Sequence, residues 1–78
     1  MIIKDNYIKG TCNQIIEYVT AELSQIVIDK TILLEDRIEL INNFSGVLNS
    51  LCNNYLGHQI VECIRTPQNK IIIQEYKG

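Results

Sequence analysis

Tryptophan is absent, alanine occurs once at Ala21, and the only proline is Pro67. Without an interior proline, the chain can form long unbroken helices before residue 67. Uninterrupted apolar runs are only a few residues long, far short of the roughly 20 needed to cross a membrane. The four glycines are scattered, so no glycine-rich loop stands ready to cradle phosphate. There is no Ser-x-Gly elbow, and His58 is the only histidine. Every histidine-based mechanism would therefore depend on one residue. These absences argue against an enzyme.

Disulfides are equally ill-provided for. Cys12, Cys52 and Cys63 are odd in number and widely spread. Reduced thiols that pack as small apolar groups are expected, in a cytoplasmic protein. Cys52, His58 and Cys63 lie near one another in the chain, but their spacing matches no usual zinc pattern, and a fourth ligand would have to be Cys12. No metal and no cofactor are expected. The start, Met1-Ile2-Ile3 followed by Lys4-Asp5-Asn6, does not resemble a signal peptide.

Charge of either sign is sparse. The net charge is −2 over 78 residues. By segment it is −2 for residues 1–29, −1 for 30–57 and +1 for 58–78. No segment forms the dense basic stripe of a nucleic-acid binder. Low hydrophobicity with high net charge, the mark of disorder, is missing too, since 46 % of residues are hydrophobic. Residues 1–78 are expected to form one domain with a thin core, because a chain of this size buries only about 60–65 % of its unfolded surface.

Isoleucine and asparagine are abundant. Their codons are A/T-rich, which points to an AT-rich genome such as that of a low-GC bacterium or its phage. The order of elements is readable from the patterns. "IIKDNYI", residues 2–8, reads as a strand ended by Gly10. Thr11 and Gln14 then fit a capping box. Cys12, Ile16, Val19, Leu23 and Ile26 follow at 4-3-4-3 spacing, which predicts a first helix from about Cys12 to about Ile28. Asp29 or Thr31 is the expected cap of a second helix, with Glu35 and Asp36 favourable in its first turn. That helix is expected over about Ile32–Leu56, with Gly57 as its stop; a break near Asn42–Gly46 is the alternative. "HQIVECIR" and "KIIIQEYK" flank Thr66-Pro67-Gln68-Asn69 and read as a hairpin. The expectation is an α+β fold of β-α-α-β-β order: a two-helix layer, its second helix long, on a small antiparallel sheet with a C-terminal hairpin.

The opening strand-helix-helix order is similar to that of ribbon-helix-helix DNA-binding proteins, in topology alone. Lys4, Asp5 and Lys9 do not make a basic reading face, and a hairpin follows, so the family is not assigned.

The second helix carries an unusually wide apolar arc. Leu33, Leu34, Ile38, Leu40, Ile41, Phe44, Val47, Leu48, Leu51, Cys52, Tyr55 and Leu56 fill roughly half of its wheel, where about 100° suffices for one core. At about 37 Å it would also overhang a domain about 30 Å across. Homo-oligomerisation, as a dimer or larger, is expected, through Leu40, Phe44, Val47, Leu51 and Tyr55. Arg37 lies within this arc. Its long stem reaching a domain end, a salt bridge at an interface, and an anion site are the three readings.

The expected function is a small non-enzymatic protein-interaction or regulatory module, an inhibitor or adaptor that binds a protein partner. A second expectation is a binder of a small anionic ligand such as a nucleotide, through Arg37 and Arg65 at a subunit cleft. The third is a nucleic-acid-binding regulator using the C-terminal hairpin with Arg65, Lys70 and Lys77. Lys70, Tyr55 and Tyr76 complete the candidate contact residues, tyrosine being a stacking or interface side chain. The asparagines of the second helix (Asn42, Asn43, Asn49, Asn53, Asn54) read as compositional drift, with an adaptable hydrogen-bonding surface as the other reading.

Overall fold

The computed structural model describes residues 1–74. Two strands, β1 (Ile2–Lys4) and β2 (Tyr7–Thr11), precede two helices, α1 (Cys12–Ile28) and α2 (Leu34–Asn54). Two more strands follow, β3 (Ile60–Arg65) and β4 (Ile71–Gln74). All neighbours pair antiparallel, in the order β1-β2-β3-β4. Both helices lie on one face of this sheet. The result is the α+β architecture expected from the sequence, a two-helix layer on a small sheet with a C-terminal hairpin.

The opening segment departs from expectation. Residues 2–8 are not one strand but a hairpin that turns at Asp5-Asn6, with Lys4 opposite Tyr7. Asp5 takes a left-handed φ of 54°, which Asp tolerates better than most residues. The order is therefore β-β-α-α-β-β, and the topological likeness to ribbon-helix-helix proteins lapses. The Asn6 carbonyl accepts from the Arg65 N–H at 2.8 Å, which ties this turn to β3.

Helix α1 has the predicted bounds. The Thr11 hydroxyl accepts from the Gln14 N–H at 3.1 Å, and the Gln14 amide oxygen accepts from the Thr11 N–H at 2.9 Å. The next two orphan donors of this helix end are also satisfied. Cys12 N–H donates to the Gln59 carbonyl at 2.8 Å and Asn13 N–H to the Gly57 carbonyl at 3.0 Å. Gly57 thus matters for close approach rather than as a helix stop. No described glycine has positive φ, and a Cβ at Gly57 would lie 2.7 Å from Asn13 Nδ2.

Helix α2 runs unbroken through Gly46, for 21 residues or about 31 Å. The alternative of a break near Asn42–Gly46 is thereby overturned. Its N-cap is Leu33, which makes no side-chain capping bond. Neither predicted cap serves it: Asp29 ends α1, and its carboxylate accepts from the Thr31 N–H at 2.9 Å. Those two bonds from Thr31, through its hydroxyl and its amide, hold the Asp29 carboxyl below its ordinary pKa. The far end comes at Asn54, where Tyr55 turns extended. At the last hairpin, Asn69 N–H donates to the Thr66 carbonyl at 2.9 Å, and Asn69 has a φ of 68°. This is a turn with Pro67 second and a left-handed residue closing it.

The core forms where the helical layer meets the sheet. Ile8, Val61, Cys63 and Ile71 from the strands meet Cys12, Ile15 and Val19 of α1 and Leu40, Phe44, Val47 and Leu51 of α2. Alternation does the rest: side chains at odd steps from these strand positions point to the other face. No described helix is long and apolar enough to cross a membrane.

Candidate functional site

The cations that suggested an anion site are engaged within the chain. Arg65 ends β3 on the helix-facing side of the sheet. Its Nη2 donates to the Tyr18 hydroxyl at 2.8 Å and to the Glu22 carboxylate, and its Nη1 donates to the Asn69 carbonyl at 3.2 Å. The guanidinium also lies 5.8 Å from the centre of the Tyr18 ring. Arg65 therefore clamps α1 to the end of the C-terminal hairpin. Burial alone would lower its pKa, but Glu22 and Tyr18 more than offset this and leave it raised.

Arg37 reaches across to the end of α1. Its Nη1 lies 3.5 Å from the Val27 carbonyl, and its field helps to lower the Asp29 pKa. A cation over the last carbonyls of a helix is favourable. The Arg37 Nε is buried without a hydrogen-bond partner. Arg37 and Arg65 thus sit on different structures, one at the tip of the helical hairpin and one beside the sheet, and do not form a common cleft within the chain.

Lys70 pairs with Glu39 of α2 at 3.7 Å, with the Glu39 side chain largely in water and the Lys70 side chain partly so. The two flank a groove of about 290 Å³ whose other walls include Ile32, Asp36, Leu40 and Asn69. Tyr55 is half-buried against the core. Tyr76 and Lys77 lie outside the described residues.

The expected oligomer interface needs correction. Leu40 and Val47 are 6 % exposed, and Phe44 and Leu51 are fully buried, all within the chain's own core. They face α1 and the sheet, so a second copy cannot reach them in this fold. The arc was wide enough for two contacts, but the half assigned to the partner is the half that folds the monomer.

Cys12 and Cys63 are buried, while Cys52 is exposed on α2. Burial pushes the Cys63 thiol up to about 11. Burial, with Cys52 nearby, also raises Cys12. Among the described residues, no three His, Cys, Asp or Glu side chains converge on a metal-sized site.

One asparagine has a defined task that the sequence reading missed. The Asn43 amide donates to the Ile71 carbonyl at 3.0 Å, and its oxygen accepts from the Ile71 N–H at 2.7 Å. It therefore pairs with β4 as a further strand would, and hooks α2 to that edge. By contrast, Asn53 donates to Asn49 and Asn54 to Ser50, one turn back along the exposed helix. The repeated asparagines hid the one that matters.

The surface left open is apolar. On the sheet face away from the helices, the register lines up Tyr7, Ile64 and Ile72 in one row, with Lys4 at its end. Ile2 lies in the next row and Ile60 beyond it. Ile2, Ile60 and Ile72 are each more than half exposed. The neighbouring row carries Lys9 and Glu62, 4.0 Å apart. No described element covers this face. The signal was present in "IVECIR", where isoleucine recurs at every fourth position around glutamate, but the inward alternation of Val61 and Cys63 drew the eye to the core instead.

Comparison with known protein families, with curated proteins and with solved structures finds no match to this chain.

Proposed function

We propose that the chain is a protein-interaction module, of the inhibitor or adaptor kind, that docks a protein partner on the open face of its sheet. The observation that carries this reading is the row of Tyr7, Ile64 and Ile72 with Ile2 and Ile60 beside it, on a sheet face that no described helix or strand packs against. An apolar patch rimmed by polar groups is a usual mark of a protein-binding surface. Here Lys4 and Gln74 stand at the rim, and the Lys9–Glu62 pair lies between the apolar row and Ile60. The engagement of Arg37, Arg65 and Lys70 inside the chain supports this reading over an anionic ligand or a nucleic acid, since both of those need free cations.

The test places a photo-crosslinking amino acid at Ile72, in extract of the source cells, with Glu17 on the exposed side of α1 as the control position. The expected result is one discrete adduct from position 72 that disappears when Ile60→Lys is added. Adducts from position 72 that match those from position 17 would refute the reading.

A further inference from the structure

Each helix carries two apolar stripes: one lies in the core, and the fold uses the other only at its margin, where Ile16, Leu23 and Leu48 pack partly against that core. On α2 the used stripe is Leu40, Phe44, Val47 and Leu51, all in the core. The second runs through Leu34, Ile38, Ile41, Ser45, Leu48 and Cys52, at 4-3-4-3-4 spacing. At about 100° per residue, Leu34, Ile38 and Ile41 stand roughly opposite Asn43, the residue that bonds to the sheet. Helix α1 repeats the arrangement. Tyr18 and Glu22 meet Arg65 at the sheet. Ile16, Thr20, Leu23 and Val27, at 4-3-4 spacing, lie on the side away from them. Leu34 is 63 %, Ile38 50 % and Val27 51 % exposed.

Heptad-like spacing on the outer face of two neighbouring antiparallel helices is the pattern of half a four-helix bundle. We infer that a second copy of this chain covers it. In the pair, the two helical layers would face each other across a two-fold axis, with a sheet on each outer side.

Two observations choose a second copy over a different partner. The first is charge. None of the ten positions on the two outer stripes carries a carboxylic or basic side chain; they are aliphatic, hydroxyl or thiol side chains. The flanking positions Asn42, Asn49 and Ser24 are uncharged as well, and Arg37, on the other flank of the α2 stripe, is turned onto the Val27 carbonyl of its own chain. In a two-fold contact each patch meets itself, so charges near the axis would face their own sign. An uncharged seam is what self-pairing requires, whereas recognition of a different partner usually draws on complementary charge. The second is area. A layer about 31 Å long and about 20 Å wide presents on the order of 600 Å² in projection. That is comparable with the roughly 800 Å² per partner of a standard stable interface.

The register follows from the small residues. Ser45 lies near the middle of α2, at the centre of its outer stripe. An antiparallel crossing there sets Ile38 of one copy near Cys52 of the other and lets the helices approach closely.

The test is light scattering on the full chain with two paired variants. The wild type is expected at twice the chain mass at about 100 µM, well above the micromolar range of weak pairs. Ile38→Glu is expected to give a folded single chain, and Ile72→Glu, on the open sheet face, to leave the pair intact. This separates the dimer from the sheet-face reading, since each can fail alone. Should Ile38→Glu unfold, Ser45→Cys and Glu17→Cys, each in a Cys52→Ser background, decide the matter. Ser45→Cys is expected to form the inter-chain disulfide at least tenfold faster under mild oxidation. A single-chain wild type, a dimer broken by Ile72→Glu but not Ile38→Glu, or equal cross-linking rates would each overturn the inference.

Discussion

Asn43→Ala measures how much of the fold hangs on one side chain. The substitution removes both hydrogen bonds to Ile71 and leaves the N–H and carbonyl of a residue only 1 % exposed without these partners. A net loss of about 1 kcal/mol per bond is usual, and more where the abandoned group stays dry. Alanine returns about 0.6 kcal/mol as the better helix former. The expected net cost is therefore about 1.5 kcal/mol. Asn42→Ala is the matched control. Asn42 is exposed and one position away on the same helix, and it carries only the propensity gain. The difference between the two variants cancels propensity and isolates the hook, at about 2 kcal/mol. For a domain of this size that corresponds to a gap of roughly 8–16 °C in Tm. Urea unfolding, followed by circular dichroism, should show it as a change in midpoint without a change in slope. Asn43→Asp sharpens the test, because it keeps the acceptor for the Ile71 N–H but sets a carboxylate oxygen against the Ile71 carbonyl. It should cost at least as much as alanine at neutral pH. Variants at 43 and 42 that differ by less than about 0.5 kcal/mol would refute the claim that Asn43 acts as the missing neighbour of β4.

Arg65→Met keeps the stem but removes the clamp on Glu22 and Tyr18; a loss of about 1.5–3 kcal/mol is expected in urea, with Glu22→Gln costing less on the wild type and nothing further on Arg65→Met. Gly46→Ala should stabilise by about 0.5–1 kcal/mol, since nothing lies within 4 Å of the new methyl group; a loss would show that the exposed side of α2 is not open. Thiol labelling of the folded chain near pH 8, at a dilution that keeps it single, should stop at Cys52, because Cys63 titrates only at about 11 and both other thiols are buried; modification of two or three thiols at similar rates would count against the core as described. Asp29 titrates below its ordinary value in the folded chain, so its contribution is present above the unfolded pKa and is lost as pH falls through the folded one. Asp29→Asn should therefore lose less stability than the wild type on acidification below about pH 4, and parallel acid profiles would contradict the Thr31 bonds.

Where a physical signal was local, the sequence carried it. The capping box at Thr11 and Gln14 set the start of α1, and the apolar period carried the helix to Ile28. Pro67 marked the last turn. The failures are of three kinds. Asp5-Asn6 is a turn signal of ordinary strength, but the isoleucines on either side read as one strand, so a hairpin was missed. Gly57 and Asn43 act through contacts distant in sequence, with Asn13 and Ile71, which no local pattern can disclose. The oligomer residues failed for a different reason. A helix wheel shows how wide an apolar arc is, not which part of it the rest of the chain covers.

Arg37 is where that division is drawn. Continued toward the N-terminus, the core series Leu51, Val47, Phe44, Leu40 reaches position 37 at the same 4-3-4-3 spacing. An aliphatic residue there would extend the core to the tip of the helical hairpin. Burying a guanidinium among aliphatic groups is costly, so Arg37 turns its Nη1 to the Val27 carbonyl at the end of α1 instead, leaving only Nε buried without a partner. The core therefore ends one turn early. Val27, Ile28, Leu33, Leu34 and Ile38 are left outside it, each at least half exposed. A charge at the end of the core stripe leaves Leu34 and Ile38 of the outer stripe as the apolar residues of the first turns of α2. Replacing Arg37 by Leu should accordingly strengthen the monomer's core at the tip while leaving the outer stripe, and any pairing through Ile38, unchanged.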